Sequence, residues 1–190
     1  PAGTFAVGAP VLEIAGGLRV FGAGMANTTI IGDGADDLFH IDSDAQFSMT
    51  GLSLDAGGKS EFDGVVRREI YFEAVHAPNP AGRLRARGDG DMAAMAVTGS
   101  SELAAAFVCG AKHCRAYDSR LARLATTLDA DLNFPSSNVD LDNVTIDGAL
   151  APDAATGLDV TTGGAVSASD VTIRDTSDGA AIGGLSIFGD

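Results

Sequence analysis

The sequence predicts an all-β solenoid, in which the chain winds through stacked coils of short strands. Short runs of alternating apolar residues recur along most of the 190 residues, and Gly, Asp or Asn closes each run. Glycine accounts for 25 residues, tryptophan is absent and lysine is scarce, a composition typical of frequent turns rather than long helices. The runs recur at intervals of about 20 to 30 residues, the period of a solenoid coil.

The predicted strands fall in the two halves of the chain. They are "LRVFG" at 18–22, "TTIIGDG" at 28–34, "LFHID" at 38–42, "FSMTGLSLDAGG" at 47–58, "IYFEAVHA" at 70–77, "NVDLDNVTIDGA" at 138–149, "AVSASDVTIRD" at 165–175 and "AIGGLSIFG" at 181–189. A single coil cannot bury its apolar face alone, so stacking should align equivalent residues into interior ladders.

An alignment of these runs predicts one interior column of apolar residues. Its members are Ile30, Leu52, Val75, Val144 and Val171, and a match of "KHCRAYDS" at 112–119 with 169–176 adds Cys114. The steps from Ile30 to Leu52 and from Leu52 to Val75 are 22 and 23 residues. Coils of this length need several short strands each.

Polar residues flank the apolar pairs at fixed places. Asn143 and Asp170 precede a pair, and Asp55, Asp147 and Asp175 follow one. Short polar side chains of this kind bond turn amides, so we expect them at the corners of the coils.

The middle of the chain permits two interpretations. Residues 101–128 place Leu121, Leu124 and Leu128 at helical spacing, which indicates one or two short helices or loop insertions. Irregular β-coils are the interpretation that we favour. In this segment Cys109 and Cys114 are expected to be small buried apolar residues, with a local disulfide or a reactive thiol as alternatives.

Charge and hydropathy exclude several partners. Acidic residues outnumber basic ones 26 to 12, a net charge of −14, which repels nucleic acid and anionic lipid. The longest apolar stretch, at 103–110, is far shorter than the ~20 residues of a membrane-spanning helix. We therefore expect no nucleic-acid partner and no membrane insertion.

Two motifs resemble ligand loops. Gly22 and Gly24 form a G-x-G, but a dinucleotide loop needs a third glycine where Asn27 stands, followed by a helix rather than "NTTII". The acidic stretches at 32–37 and 129–133 lack the glycine and terminal Glu of an EF-hand loop. We predict a tight turn at the glycines and solvated acidic turns, with a calcium site on the solenoid flank as the alternative and no other cofactor or metal.

The opening of the chain resembles the pectate-lyase-like right-handed parallel β-helix superfamily. In that superfamily a Pro-x-Gly-Tyr/Phe entry leads to a strand, and a G-x-G followed by Thr and an apolar pair forms the first coil. Here Pro1, Gly3, Phe5, Gly22, Gly24, Thr28 and Ile30 hold those positions. The resemblance covers about residues 1–58, and 138–190 match the coil pattern alone. It implies a single right-handed parallel β-helix over 1–190, and since an uncapped helix exposes a sheet edge, we expect a segment of a longer chain or a covering partner.

The superfamily includes polysaccharide lyases, glycoside hydrolases and the tailspikes of bacteriophages. The resemblance implies a spike or fibre module of a phage-like particle that binds a bacterial surface polysaccharide, as a homotrimer or part of a larger particle, on the virion surface or outside the cell. A polysaccharide-degrading hydrolase or lyase is the alternative, although the net charge disfavours the anionic substrate of a lyase. A cell-surface adhesin is a further alternative.

Four residues are candidates for acid, base or cation roles in glycan cleavage. Glu73 and His76 flank the predicted column at one coil, and Arg115 and Asp118 flank it at another. Alternate residues of a strand point outward, so these side chains are expected to line one face.

The two tyrosines, Tyr71 and Tyr117, are predicted to bind sugar rings.

Overall fold

The computed structural model describes residues 1–8, 12–14, 16–35, 37–43, 46–57, 61–88, 91–126, 137–162, 164–177 and 180–183. These residues are nearly all β, in two parallel sheets. The first sheet contains β1 Gly3–Ala6, β3 Leu18–Phe21, β4 Thr28–Ile31, β6 Phe47–Asp55, β8 Glu69–Ala77, β10 Ala94–Thr98, β11 Glu102–Leu103, β13 His113–Leu121, β15 Asn138–Asp147, β17 Val166–Ser169 and β18 Thr172–Arg174. The second contains β2 Leu12–Ile14, β5 Phe39–Ser43, β7 Phe62–Val66, β9 Arg83–Arg87, β12 Ala106–Gly110, β14 Arg123–Ala125, β16 Gly157–Thr161 and β19 Ala180–Gly183.

The chain alternates between the two sheets, and each strand pairs in parallel with its equivalent one coil later. Thus β6, β8, β10 and β13 follow one another in the first sheet, while β7, β9, β12 and β14 follow one another in the second. One turn of 3₁₀ helix, Gly148–Leu150, is the only helical element in the described part of the chain. The predicted all-β parallel solenoid is therefore confirmed, while its right-handed winding stays a prediction.

From β6 onward, a left-handed backbone residue bends each coil of the first sheet at the same place. The bend residues are Gly51 (φ 66°), Ala74 (φ 49°), Gly99 and Ser100 (φ 68° and 63°), Asp118 (φ 45°), Asn143 (φ 51°) and Asp170 (φ 50°). The bend divides the sheet into two outward surfaces. We call the outward residues before the bend the front face and those after it the side face.

Inward side chains form the apolar ladders that hold the coils together. Four phenylalanines pack at the centre, with Phe47 and Phe62 ring centroids 5.1 Å apart and Phe62 and Phe72 centroids 5.4 Å apart. Phe39 adds to the cluster 6.1 Å from Phe47. Each of the four is at most 2 % exposed, so this cluster lies fully inside the core.

The predicted column is correct in face but partly wrong in register. Leu52 pairs with Val75 as expected, whereas Ile30 pairs with Leu54 and Cys114 with Val139. The shift of Ile30 is two residues, which keeps its side chain on the same face of a strand. Cys114 lies five residues from the predicted alignment with Val144, on the other side of the bend. The apolar pattern alone therefore leaves such a shift undetermined.

Strands occupy the middle of the chain wherever the structure describes it. β11 to β14 cover most of 102–125, which confirms the β-coil interpretation there, and Leu128 lies outside the described residues. Leu121 and Leu124 are both buried but belong to different sheets.

Cys109 and Cys114 are buried as expected, but they form a local disulfide, which was the alternative interpretation, and are not free thiols. Both are at most 1 % exposed, and they join the end of β12 to the start of β13 across a corner. The corner brings their Cα atoms to 5.8 Å, a distance that sequence spacing does not reveal.

The predicted bond to a turn amide is present at Asp55 and Asp147, whereas the Asn143 side chain donates to the Asp118 carboxylate instead. The Asp55 carboxylate accepts a hydrogen bond from the Gly57 amide at 2.9 Å, and the Asp147 carboxylate accepts one from the Ala149 amide at 3.0 Å. In the acidic stretch at 32–37, Asp33 accepts from Ala35 in the same way. Residues 129–133 lie outside the described part of the chain.

The G-x-G motif forms the predicted tight turn. The amides of Gly22 and Gly24 donate to the carbonyls of Thr50 and Gly51, both at 2.8 Å. A Cβ at Gly22 would overlap the Gly51 carbonyl, so only glycine fits this approach of two coils.

No helix of the described residues is long and apolar enough to span a membrane.

One carboxyl group, Glu61, lies inside this fold just before β7 and is 0 % exposed. Burial, with a contribution from Asp55, raises the pKa of Glu61 from 4.5 to about 8. The amides of Glu61 and Arg83 and the side chain of Asn79 lower it, yet none of the described groups meets hydrogen-bond geometry with either carboxyl oxygen. A Cβ at Gly82 would overlap the carboxyl, which fills that space.

Truncation of the central ring should unfold the protein more easily. We expect Phe62→Ala to lower the free energy of unfolding by about 4 kcal/mol, because it leaves a cavity among three other rings. Phe21, which is 61 % exposed, provides the control, and Phe21→Ala should change the free energy of unfolding by less than about 1 kcal/mol. Urea unfolding measures both; equal effects of the two substitutions would contradict the described core.

Glu61→Gln, which resembles the protonated acid, should stabilise the protein at alkaline pH. The folded-state pKa is raised, so ionisation costs nothing below about pH 4.5 and weakens the folded state progressively as the pH rises to about 8. The advantage of the variant should grow over this range to several kcal/mol, on the order of 4. Urea unfolding at about pH 5, 7 and 9 measures the difference, and a pH-independent difference would refute it.

Candidate functional site

A groove crosses the front face over several coils. It consists of two adjoining depressions of about 340 and 510 Å³ that share Gln46 and Glu69. The side chains that give the groove its chemistry are the cations Arg19, Arg68 and Arg115, the carboxylates Glu69, Glu73 and Asp91, the aromatic or apolar Phe21, Tyr71 and Met92, and the polar Gln46, Ser48, Thr50 and His113.

Strand register places these side chains in rows. Arg19, Ser48 and Tyr71 occupy one position in three successive coils, two residues before Phe21, Thr50 and Glu73. Neighbouring strands lie about 4.8 Å apart, so each row presents one side chain per coil. A linear polymer that runs across the coils would therefore contact one side chain of the same row in each coil.

Exposed apolar side chains form parts of the groove lining. Phe21 is 61 % exposed and lines the first depression together with the Tyr71 ring, and Met92 is 75 % exposed and lines the second. Burial and the nearby carboxylates of Glu73 and Glu69 raise the pKa of Tyr71, so its hydroxyl stays protonated at neutral pH. This hydroxyl is available as a hydrogen-bond donor.

Weak polar contacts connect several groove residues. Thr50 Oγ1 lies 3.5 Å from Glu73 Oε2, and an Arg115 guanidinium nitrogen lies 3.7 Å from Glu69 Oε1. The Arg115 and Glu69 side chains remain 38 % and 44 % exposed. Both can therefore exchange this weak contact for a ligand.

Three of the predicted site residues meet in the groove. Tyr71 and Glu73 line the first depression, and Arg115 lines the second. Tyr117 lies on the same face beyond the groove lining, where its hydroxyl donates to Asp140 Oδ2 at 3.1 Å. Burial and this hydrogen bond raise its pKa.

The other two predicted residues lie elsewhere, so the expectation that all four catalytic candidates line one face is wrong. The bend at Ala74 separates Glu73 from His76, which points outward on the side face. Asp118 is itself a bend residue, exposed, and its carboxylate accepts a hydrogen bond from Asn143 Nδ2 at 2.8 Å. The catalytic roles of Glu73 and Arg115 remain predictions.

Several groove residues were missing from the sequence-based candidates. Arg19 and Phe21 alternate with inward-facing Val20, and this alternation marks them as outward residues. Met92 and Asp91 come from a turn, where no periodicity marks their direction. Only the stacking of coils brings these turn residues beside the strands.

The side face contains an ionic network around one buried carboxylate. Asp147 is 1 % exposed, and its Oδ2 accepts hydrogen bonds from Arg120 at 2.7 Å and from Arg174 at 2.6 Å. Arg120 also donates to Glu102 Oε2 at 3.0 Å. Burial raises the pKa of Asp147, but the hydrogen bonds from the two arginines outweigh it and lower the pKa below 3.8.

The chain has no significant match among protein-family models, curated proteins or solved structures.

Asp147→Asn should destabilise the protein at neutral pH by about 2 kcal/mol, because two guanidinium groups lose their charged acceptor. The carboxylate's folded-state pKa is lowered, so its contribution is present above about pH 3.8 and disappears as the pH falls through the folded value. The difference from the parent should therefore shrink near pH 3. Thermal unfolding at several pH values measures it, with the exposed Asp142→Asn on the same strand as the control; equal losses in both variants would count against the network.

Proposed function

We propose that the protein is a polysaccharide-binding β-solenoid module and that the front-face groove is its binding site. The observation that supports this is the combination of the exposed Phe21 ring and the half-buried Tyr71 ring with rows of polar and charged side chains across successive coils. Sugar rings stack their C–H faces on aromatic side chains, while their hydroxyls bond to carboxylate, amide and guanidinium groups. Phe21 and Tyr71 supply the first kind of contact, and Arg19, Gln46 and Glu73 the second.

The charge of the groove indicates the kind of glycan. Three arginines and three carboxylates line it, so its local charge is balanced although the whole protein has a net charge of −14. A polyanion such as a polyuronate would be repelled by the protein's overall charge. A neutral or sparsely charged polysaccharide fits better.

The disulfide and the opening of the chain bear on assembly and location. The buried disulfide fits an oxidising environment outside the cytoplasm. With the resemblance of residues 1–58 to the β-helix superfamily, this supports a spike or fibre module on a virion surface or outside the cell, as a homotrimer or part of a larger particle. A cell-surface adhesin would share every one of these features.

Binding to neutral bacterial surface polysaccharides, immobilised as an array, tests this proposal. Phe21→Ala and Tyr71→Ala should each weaken binding about tenfold, because each removes a stacking surface. Phe5→Ala is the matched control: Phe5 is 41 % exposed outside the groove, and binding should not change. No binding, or equal losses in all three variants, would overturn the proposal.

Release of reducing or unsaturated ends in the same incubations separates binding from cleavage. Intact polymer after binding supports a binding module. Product formation that Glu73→Gln abolishes would replace it with the glycoside hydrolase or lyase alternative.

A further inference from the structure

Three side chains on the side face form a row that the groove does not include. Ser53, His76 and Glu102 are register partners on β6, β8 and β11 of successive coils. Ser53 Oγ lies 3.3 Å from His76 Nδ1, and His76 Nε2 lies 3.9 Å from Glu102 Oε1. One imidazole nitrogen thus faces a hydroxyl and the other faces a carboxylate.

This order of groups is the one that activates a serine. A serine hydroxyl is a weak nucleophile until an adjacent base accepts its proton, and a carboxylate behind the base holds the imidazole and stabilises its cation. Glu102 keeps its position because Arg120 donates to its other oxygen at 3.0 Å. Contacts of this kind are often long before substrate binds.

We propose that Ser53, His76 and Glu102 hydrolyse small acyl esters. Ser53 Oγ attacks the ester carbonyl carbon while its proton passes to His76 Nδ1, and the carbon–oxygen bond to the alcohol breaks as that proton passes to the leaving oxygen. Water then attacks the acyl-serine, gives a proton to His76, and releases the carboxylic acid as the proton returns to Ser53. Glu102 is a positioning residue, and Thr29, the register partner of Ser53, carries a hydroxyl suited to the carbonyl oxygen.

The surroundings limit the acyl group to a short one. Ser53 is only 4 % exposed, so a bulky acyl chain would find no space beside it. Thr50, a groove residue, is on the same strand three residues away, about 10 Å, with the Gly51 bend between. A glycan that extends from the groove across this bend would present an O-acetyl group to Ser53, an assignment that rests on the proposed function.

Ester hydrolysis by the full chain tests the chemistry independently of glycan binding. The parent should hydrolyse 4-nitrophenyl acetate with saturation, and Ser53→Ala and His76→Ala should each lose about 100-fold or more in kcat/KM. Ser169→Ala, an exposed serine on β17, is the matched control and should keep the parent rate. A fluorophosphonate probe should label Ser53, as read by peptide mass spectrometry.

Glu102→Gln separates positioning from structure. It should lower kcat about tenfold or more and change the pH dependence of kcat, because the imidazolium loses its carboxylate, while circular dichroism shows a folded protein. Full hydrolysis by folded Ser53→Ala, an unchanged pH profile in Glu102→Gln, or a folded parent without the Ser53 label would overturn the proposal.

Glycan binding by Ser53→Ala distinguishes the two proposals. If Ser53→Ala binds glycan but no longer hydrolyses the ester, both proposals are supported. If the parent hydrolyses the ester but binds no glycan, the esterase chemistry stands and only the polysaccharide-binding function is refuted.

Discussion

The left-handed bend repeated in each coil determines which side chains of this protein can meet. It falls between Glu73 and Val75 in one coil and between Tyr117 and Ser119 in another, so residues two or three apart in sequence face different directions. Parallel pairing then stacks the coils in register, and each outward position becomes a row. The groove and the Ser53–His76–Glu102 row are two products of one geometry, on either side of the bend.

The interior shows how differently two buried carboxylates can be treated. Asp147 is as inaccessible as Glu61, yet two guanidinium groups and a turn amide satisfy it, and its pKa is lowered. Glu61 has no such cation among its described neighbours, and its pKa is raised. Desolvation acts on both groups, and the presence of a paired charge decides the direction of the shift. Arg120, which belongs to the Asp147 network, also donates a hydrogen bond to Glu102. The ion pairs of the side face therefore also position a residue of the proposed chemistry.

Charge is distributed unevenly over the molecule. The excess of acidic residues predicts that polyanions are poor partners, but it does not describe the groove, where basic and acidic side chains are equal in number. Local balance combined with exposed Phe21 and Met92 suits a ligand with both apolar and hydroxyl-bearing surfaces. These properties suit the proposed carbohydrate ligand better than the other polymers that a flat β-surface can bind.

Sequence alone was enough to predict the solenoid, because alternation of apolar residues and the coil-length repeat follow directly from strand geometry. It also predicted the outward positions of Tyr71, Glu73 and Arg115, since alternation marks such positions. The register between coils could not be predicted from the sequence, because pairing Ile30 with Leu54 instead of Leu52 leaves the apolar pattern intact. The separation of Glu73 from His76, the pairing of Cys109 with Cys114 and the meeting of Ser53 with Glu102 all depend on where each coil bends and how long it is. The bend position and the coil length set which residues of neighbouring coils come close together, and only the tertiary structure decides those distances.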